Sequence, residues 1–98
     1  MSCYFMVDTY IDKNKKRCDY DEYIDKVKPI VEKFHGEYLI RTEKVQGLSE
    51  NRKPQRVIVI KFPSKKELEE CFSSDAYKAI MEKRINTVDA RAVIVEDR

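Results

Sequence analysis

Apolar and aromatic residues crowd the start of the chain at Tyr4, Phe5, Met6, Val7, Tyr10 and Ile11, with Thr9 among them. Aromatic and β-branched side chains in a short run favour an extended backbone, so Cys3 to Asp12 is expected as a first strand. The polar run Asp-Lys-Asn-Lys-Lys-Arg at 12–17 then reads as a loop. From Asp19 the spacing changes. Tyr20, Tyr23, Ile24, Val27, Val31 and Phe34 recur mostly three or four residues apart, the stripe of a helix that buries one face. Gly36 is expected to end that helix in the left-handed conformation. Pro29 lacks a backbone donor and is expected to kink or split it.

Glu37 to Lys44 and Arg56 to Phe62 read as second and third strands, joined by a long hairpin connection through Gly47, Ser49, Asn51 and Pro54. Pro63 stops the third strand, and Ser64-Lys-Lys-Glu67 has the spacing of a capping box, in which Ser and Glu side chains each satisfy an orphan backbone donor. Leu68, Cys71 and Phe72 give the second helix its first apolar face. Ser73-Ser74-Asp75 offers another cap before Tyr77, Ile80, Met81 and Ile85, so the helical region is expected to break near Ser73. Ala90 to Glu96 closes the chain as a fourth strand. The order β-α-β-β-α-β is the ferredoxin-like α+β arrangement, a four-stranded antiparallel sheet with both helices on one face. At 98 residues the chain, residues 1–98, is expected to form one domain.

Two helices cover one face of such a sheet, yet Val57-Ile-Val-Ile60 and Val93-Ile-Val95 place apolar side chains on both faces. A second copy packed sheet to sheet about a two-fold axis would cover the other face. The alternative is a monomer with a small apolar patch. If Phe62, Ile60 and Ile58 face the helices, Val57, Val59 and Lys61 face the open side. The same alternation groups Met6, Asp8 and Tyr10 on strand one, and Leu39, Arg41 and Glu43 on strand two. Asp8, Arg41 and Lys61 would then meet on the open face. They make either a pocket for a small anionic or carbonyl-bearing ligand, with Arg41 as the main contact and Lys61 as the second cation, or solvated ion pairs at strand ends.

Charge narrows the partners. Lys and Arg total 20 against 18 Asp and Glu, a net charge of +2, so the strong basic excess of a nucleic-acid binder is missing. The clusters at 13–17 and at Arg52, Lys53 and Arg56 read as solvated loop charges, and no Gly-aromatic RNA-binding signature surrounds Phe62. The apolar runs 3–7 and 57–60 fall short of the roughly 20 residues of a membrane helix. No signal-peptide pattern opens the chain, and a cytoplasmic protein is expected. Three cysteines, Cys3, Cys18 and Cys71, are too irregularly spaced for a disulfide framework or a zinc knuckle and are read as reduced, non-catalytic thiols. The single His35 is expected to meet the last carbonyls of the first helix. No metal, haem or other cofactor is expected.

Asp19-Tyr20, His35-Gly-Glu-Tyr-Leu-Ile-Arg41, Pro54-Gln-Arg-Val-Ile-Val-Ile-Lys-Phe-Pro-Ser64, and Phe72-Ser-Ser-Asp-Ala-Tyr77 followed by Arg84, taken in that order, resemble the bacterial domain of unknown function 1330 family. The resemblance implies the fold of dimeric α+β-barrel proteins, a group that includes cofactor-free oxygenases, isomerases and dehydratases. It carries over Arg41, Arg56, Tyr77 and Arg84 by position as structural or pocket residues, which adds Arg56 to the candidate ligand set of Asp8, Arg41 and Lys61. The chain departs from the family at Lys61 and Gln46, where Glu is common, and at His35-Gly36, where Gly-Gly is usual. A reaction that rested on those carboxylates would not be shared. Two functions follow: a dimer with a small-molecule pocket between sheet and helices, enzymatic or not, and a non-catalytic dimeric binding or regulatory module.

Overall fold

The structure, a computed structural model, describes residues 2–11, 17–85 and 88–97, with residues 17–19 described by their backbone alone. The loop expected at 12–16 and the thiol of Cys18 lie outside what is described. The elements are β1 (Cys3–Ile11), α1 (Arg17–Lys33), β2 (Glu37–Thr42), β3 (Arg56–Phe62), α2 (Lys65–Ser73), α3 (Asp75–Ile85) and β4 (Val88–Glu96). The strands form one antiparallel sheet in the order β2-β3-β1-β4. β1 lies inside it, with Cys3 opposite Phe62 and Glu96, and Thr9 opposite Arg56 and Ala90.

Alternation along the inner strands builds the core. Cys3 and Val7 of β1 turn toward the helices with Ile58, Ile60 and Phe62 of β3, and meet the α1 stripe of Tyr20, Tyr23, Ile24, Val27 and Val31. Leu68 and Cys71 of α2 and Tyr77 and Ile80 of α3 complete the layer. Phe62 and Val31 are 0% exposed, and burying a side chain of that size is worth about 1.5–3 kcal/mol.

Among the described residues there are three helices, because the second helical region breaks where its spacing predicts. The break falls at Ser74, whose N–H donates to the Cys71 carbonyl while its Oγ accepts from Tyr77 N at 3.2 Å. One residue thus ends α2 and caps α3. Ser64 caps α2 as its spacing predicts, its Oγ accepting from Glu67 N at 3.3 Å. Pro29 does not split α1, which runs unbroken to Lys33. Pro29 and Asp25, whose carbonyl loses its helical donor, both lie on the solvent side, where the freed oxygen is open to water and costs little.

The end of α1 also departs from expectation. His35, not Gly36, takes the left-handed conformation, at φ 67°, and its ring turns to Glu67, with Nδ1 3.2 Å from Oε1, rather than to the helix carbonyls. Gly36 serves close packing instead. Its N–H donates to the Val31 carbonyl at 2.9 Å, and a Cβ there would collide with Val31 Cγ1 and lie 3.0 Å from the Phe62 ring.

One irregularity decides which way β2 points. Tyr38 is opposite Ile60 and Ile40 is opposite Val59, so Leu39 is an extra residue, a β-bulge. Beyond it every side chain changes face. Ile40 and Thr42 join the open side opposite Val59 and Val57, and Arg41 joins the helix side opposite Ile58.

Gly36→Ala is therefore expected to destabilise the protein by about 1–3 kcal/mol through overpacking, while His35→Gly, which relieves the left-handed non-glycine residue, is expected to add roughly 0.5–1 kcal/mol. Urea unfolding of the two variants beside wild type measures both.

Candidate functional site

Between the sheet and the helices lies a partly open cavity of about 330 Å³. A sealed, dry void of that size would cost on the order of 8 kcal/mol at about 24 cal/mol per Å³, comparable to the whole stability of a small domain. Solvent or a ligand must therefore occupy it. Most of its wall is apolar, with Phe5, Val7, Ile24, Val27, Ile58 and Phe72 among the lining residues. The polar groups among the described lining residues are Thr9, Tyr20, Tyr23, Tyr38, Tyr77 and Arg84, and none is His, Cys, Asp or Glu.

Helical spacing brings the tyrosines there. Tyr20 and Tyr23 lie on the buried stripe of α1, and Tyr77 follows the Ser74 cap by three residues on α3. Tyr23 and Tyr77 join α1 to α3 through their hydroxyls, 3.0 Å apart and buried, with the rings edge to face at 6.2 Å between centroids. Burial, reinforced by Tyr77, pushes the Tyr23 phenol well above its ordinary range, so it stays protonated. Burial also pushes the Tyr38 phenol up to about 12, against the pull of the Arg41 cation.

The structure divides the four residues expected to bind ligand. Arg41 is on the helix side, its guanidinium carbon 5.7 Å from the Tyr38 ring centroid. Arg56 is on the same side, opposite Thr9, 5.8 Å from the Tyr20 ring centroid, with a buried Nε that has no hydrogen-bond partner. Both cations thus stand behind rings that line the cavity. Asp8 and Lys61 are on the other face. Asp8 is held by Arg52, which donates from Nε to Oδ2 at 2.6 Å and from Nη2 to Oδ1 at 3.2 Å, and Lys61 lies opposite Tyr4 and Glu37. The expected cluster of Asp8, Arg41 and Lys61 therefore does not form, because the bulge at Leu39 turns Arg41 away. Asp8 is engaged by Arg52 instead.

The helical stripe reads Tyr20 and Tyr23 as core, and nothing in the local spacing singles out Thr9 or Tyr38. The available signal was chemical: a tyrosine on a buried stripe brings a hydroxyl that needs a partner or a cavity. Cys3 and Cys71 are buried thiols raised by burial, Cys71 to about 11, which leaves them poor nucleophiles at neutral pH. No metal-binding group of three His, Cys, Asp or Glu side chains exists among the described residues. No helix is long and apolar enough to cross a membrane.

Residues 2–98 match the sequence profile of a family described as domain of unknown function 1330. The chain belongs to this family. No curated protein sequence matches it. Its fold is similar to that of the RPA0582 protein of unknown function from Rhodopseudomonas palustris, at a TM-score of 0.85 and 14% identity over 99% of this chain and 82% of that one. A dimeric ferredoxin-like protein of unknown function from Jannaschia sp. CCS1 is similar at a TM-score of 0.79 and 11% identity over 99% of this chain and 100% of that one. SnoaB, a cofactor-independent oxygenase from Streptomyces nogalater, is similar at a TM-score of 0.68 and 8% identity over 99% of this chain and 93% of that one. At these identities the likeness concerns the fold. This domain of unknown function 1330 member is thus a four-stranded, ferredoxin-like protein, and His35, Gln46 and Lys61 lie outside the cavity lining.

The tyrosine and thiol environments set a pH dependence. Cys71 rises from 9.0 to about 11 and Tyr38 from 10.0 to about 12 on folding. Groups raised in the folded state contribute full stability below their unfolded values, and that stability is lost as pH climbs through the folded ones. The urea midpoint is expected to fall progressively between about pH 9 and pH 12, less steeply in a Cys71→Ala, Tyr38→Phe double variant.

Proposed function

We propose that this protein is a homodimer joined through the open face of its sheet, each copy holding a small, largely apolar molecule between sheet and helices. The cavity carries this reading. A space of about 330 Å³ is within the range of small-molecule pockets, and its few polar groups sit among aromatic walls as such sites require. Arg41 and Arg56 behind the Tyr38 and Tyr20 rings, and Arg84 in the lining, favour a ligand bearing an anionic or carbonyl oxygen. In this reading Arg41 acts through the Tyr38 ring that lines the cavity, and Lys61 takes no part. The competing reading, a module whose sheet face only joins two copies, gives the cavity no role.

Reaction is a separate matter from binding. The fold likeness to a cofactor-independent oxygenase is compatible with catalysis in such a pocket, and chemistry there would run through tyrosine hydroxyls, the lining having no carboxylate, imidazole or thiol among its described residues. Fold alone does not select a reaction.

The dimer rests on the open face. Val93, Val95 and Ile40 are 58%, 43% and 46% exposed there, in register with Met6, Tyr4 and Val59. Dimeric ferredoxin-like proteins from Jannaschia sp. CCS1 and Bacteroides fragilis share the fold. A second copy presents the same apolar stripe to this one, the self-complementary contact of a two-fold interface. Cytoplasmic residence remains part of the proposal.

Light scattering at about 50 μM is expected to give the mass of two chains, and Val93→Asp, which would bury an unpaired charge costing several kcal/mol, is expected to give a folded monomer. A wild-type monomer would remove the dimer. Native mass spectrometry of protein purified from its own host is expected to show a retained small molecule that Ala90→Phe, which narrows the cavity from β4, reduces or abolishes.

A further inference from the structure

The buried tyrosine pair says what part of a ligand must face it. A phenol carries one proton, so Tyr23 and Tyr77 bring two to a site where their oxygens are 3.0 Å apart. One proton lies between the oxygens. The other belongs to whichever hydroxyl accepts, and no other described side chain takes it. Both rings line the cavity, and a buried O–H left without an acceptor costs about 1–3 kcal/mol. The pair therefore offers a ligand one strong donor. Swapping which tyrosine donates keeps that number the same.

The walls around this donor are mostly rings. Phe5, Tyr20, Tyr38 and Phe72 line the cavity with the pair. Phe72 stacks on Phe5 at 4.5 Å and meets Tyr77 edge to face at 4.9 Å, so the aromatic surface is fixed by its own contacts. Flat apolar molecules suit it better than branched or strongly hydrated ones.

Resting on the cavity reading above, we propose that the ligand is a planar, ring-based molecule whose single essential polar group is an acceptor oxygen, a ketone carbonyl or its enolate or phenolate equivalent, seated on the Tyr23–Tyr77 hydroxyl pair. An alcohol or amine brings a proton of its own, for which the pair offers only a phenol lone pair, so an oxygen that purely accepts matches the free proton best. The guanidinium groups of Arg41 and Arg56, which stand behind lining rings, favour the form in which that oxygen gathers negative charge.

The test uses two probes of nearly equal shape, 2-acetonaphthone, which has the carbonyl, and 2-ethylnaphthalene, which lacks it. Affinities come from ligand-detected NMR on wild type, Tyr77→Phe and the Tyr23→Phe, Tyr77→Phe double variant. Wild type is expected to bind the ketone about tenfold more tightly, the ratio given by one net hydrogen bond. Tyr77→Phe leaves one hydroxyl with a free proton and should keep most of the preference. The double variant, in which two mutually bonded hydroxyls are lost together and folding is preserved, should bind both probes equally. Equal binding by wild type, or an unchanged preference in the double variant, overturns the acceptor-oxygen proposal and leaves the cavity reading standing. Failure of both probes to bind wild type overturns the two together.

Discussion

Antiparallel pairing of β1 with β3 is the constraint on which the rest of this protein depends. Once Cys3 lies opposite Phe62 and Thr9 opposite Arg56, alternation assigns every residue of the two inner strands to a face. Cys3, Val7, Ile58, Ile60 and Phe62 can then share one layer with the helices. Met6, Asp8, Val57 and Val59 are left on the other. A slip of one residue would exchange the two sets and expose the core. The close approach at Gly36 locks the arrangement from the helix side, since the end of α1 rests on the Phe62 ring with no room for a Cβ.

The same register sets where chemistry is available. On the helix side, long aromatic side chains hold the layers apart and leave a cavity edged by hydroxyls, backed by guanidinium groups at Arg41 and Arg56. On the open side, charge is used locally. Asp8 is held in a two-point grip by Arg52 from the β2–β3 connection, and Gln55 in the same connection accepts from Ile11 N at 2.8 Å and donates its own N–H to the Thr9 carbonyl at 3.0 Å. These contacts fasten the long connection to β1. They also satisfy Asp8, so one face holds the hydroxyl-edged cavity and the other a strip of valines beside the settled Asp8–Arg52 pair.

Much of the fold was legible because it is written in spacing. The α1 stripe, the caps at Ser64 and near Ser74, and the four strands all follow from short-range patterns whose energies are local. The candidate site was legible only by residue type. Arg41 and Arg56 stand over the Tyr38 and Tyr20 rings that line the cavity, but a regular β2 strand would put Arg41 on the other face. A bulge has no composition of its own, and the Leu39 insertion exists because Tyr38 and Ile40 must pair with the adjacent Ile60 and Val59. Likewise Gly36 looked like the left-handed residue, whereas crowding by Val31 and Phe62 claims it for packing and passes the strained φ to His35.

By itself the sequence determined the order and kinds of element, the ferredoxin-like topology they allow, and the surplus of apolar strand residues over what the helices cover. Those properties depend on neighbours within a turn or a strand, where periodicity and backbone chemistry act directly. Tertiary structure alone decided that Tyr23 and Tyr77, 54 residues apart, hydrogen-bond to each other, that Asp8 pairs with Arg52, and that Arg41 and Lys61 occupy opposite faces. Contacts between distant residues depend on register, bulges and the thickness of the packed layers. These are set by the sum of many weak packing terms, and no short stretch of sequence contains that sum.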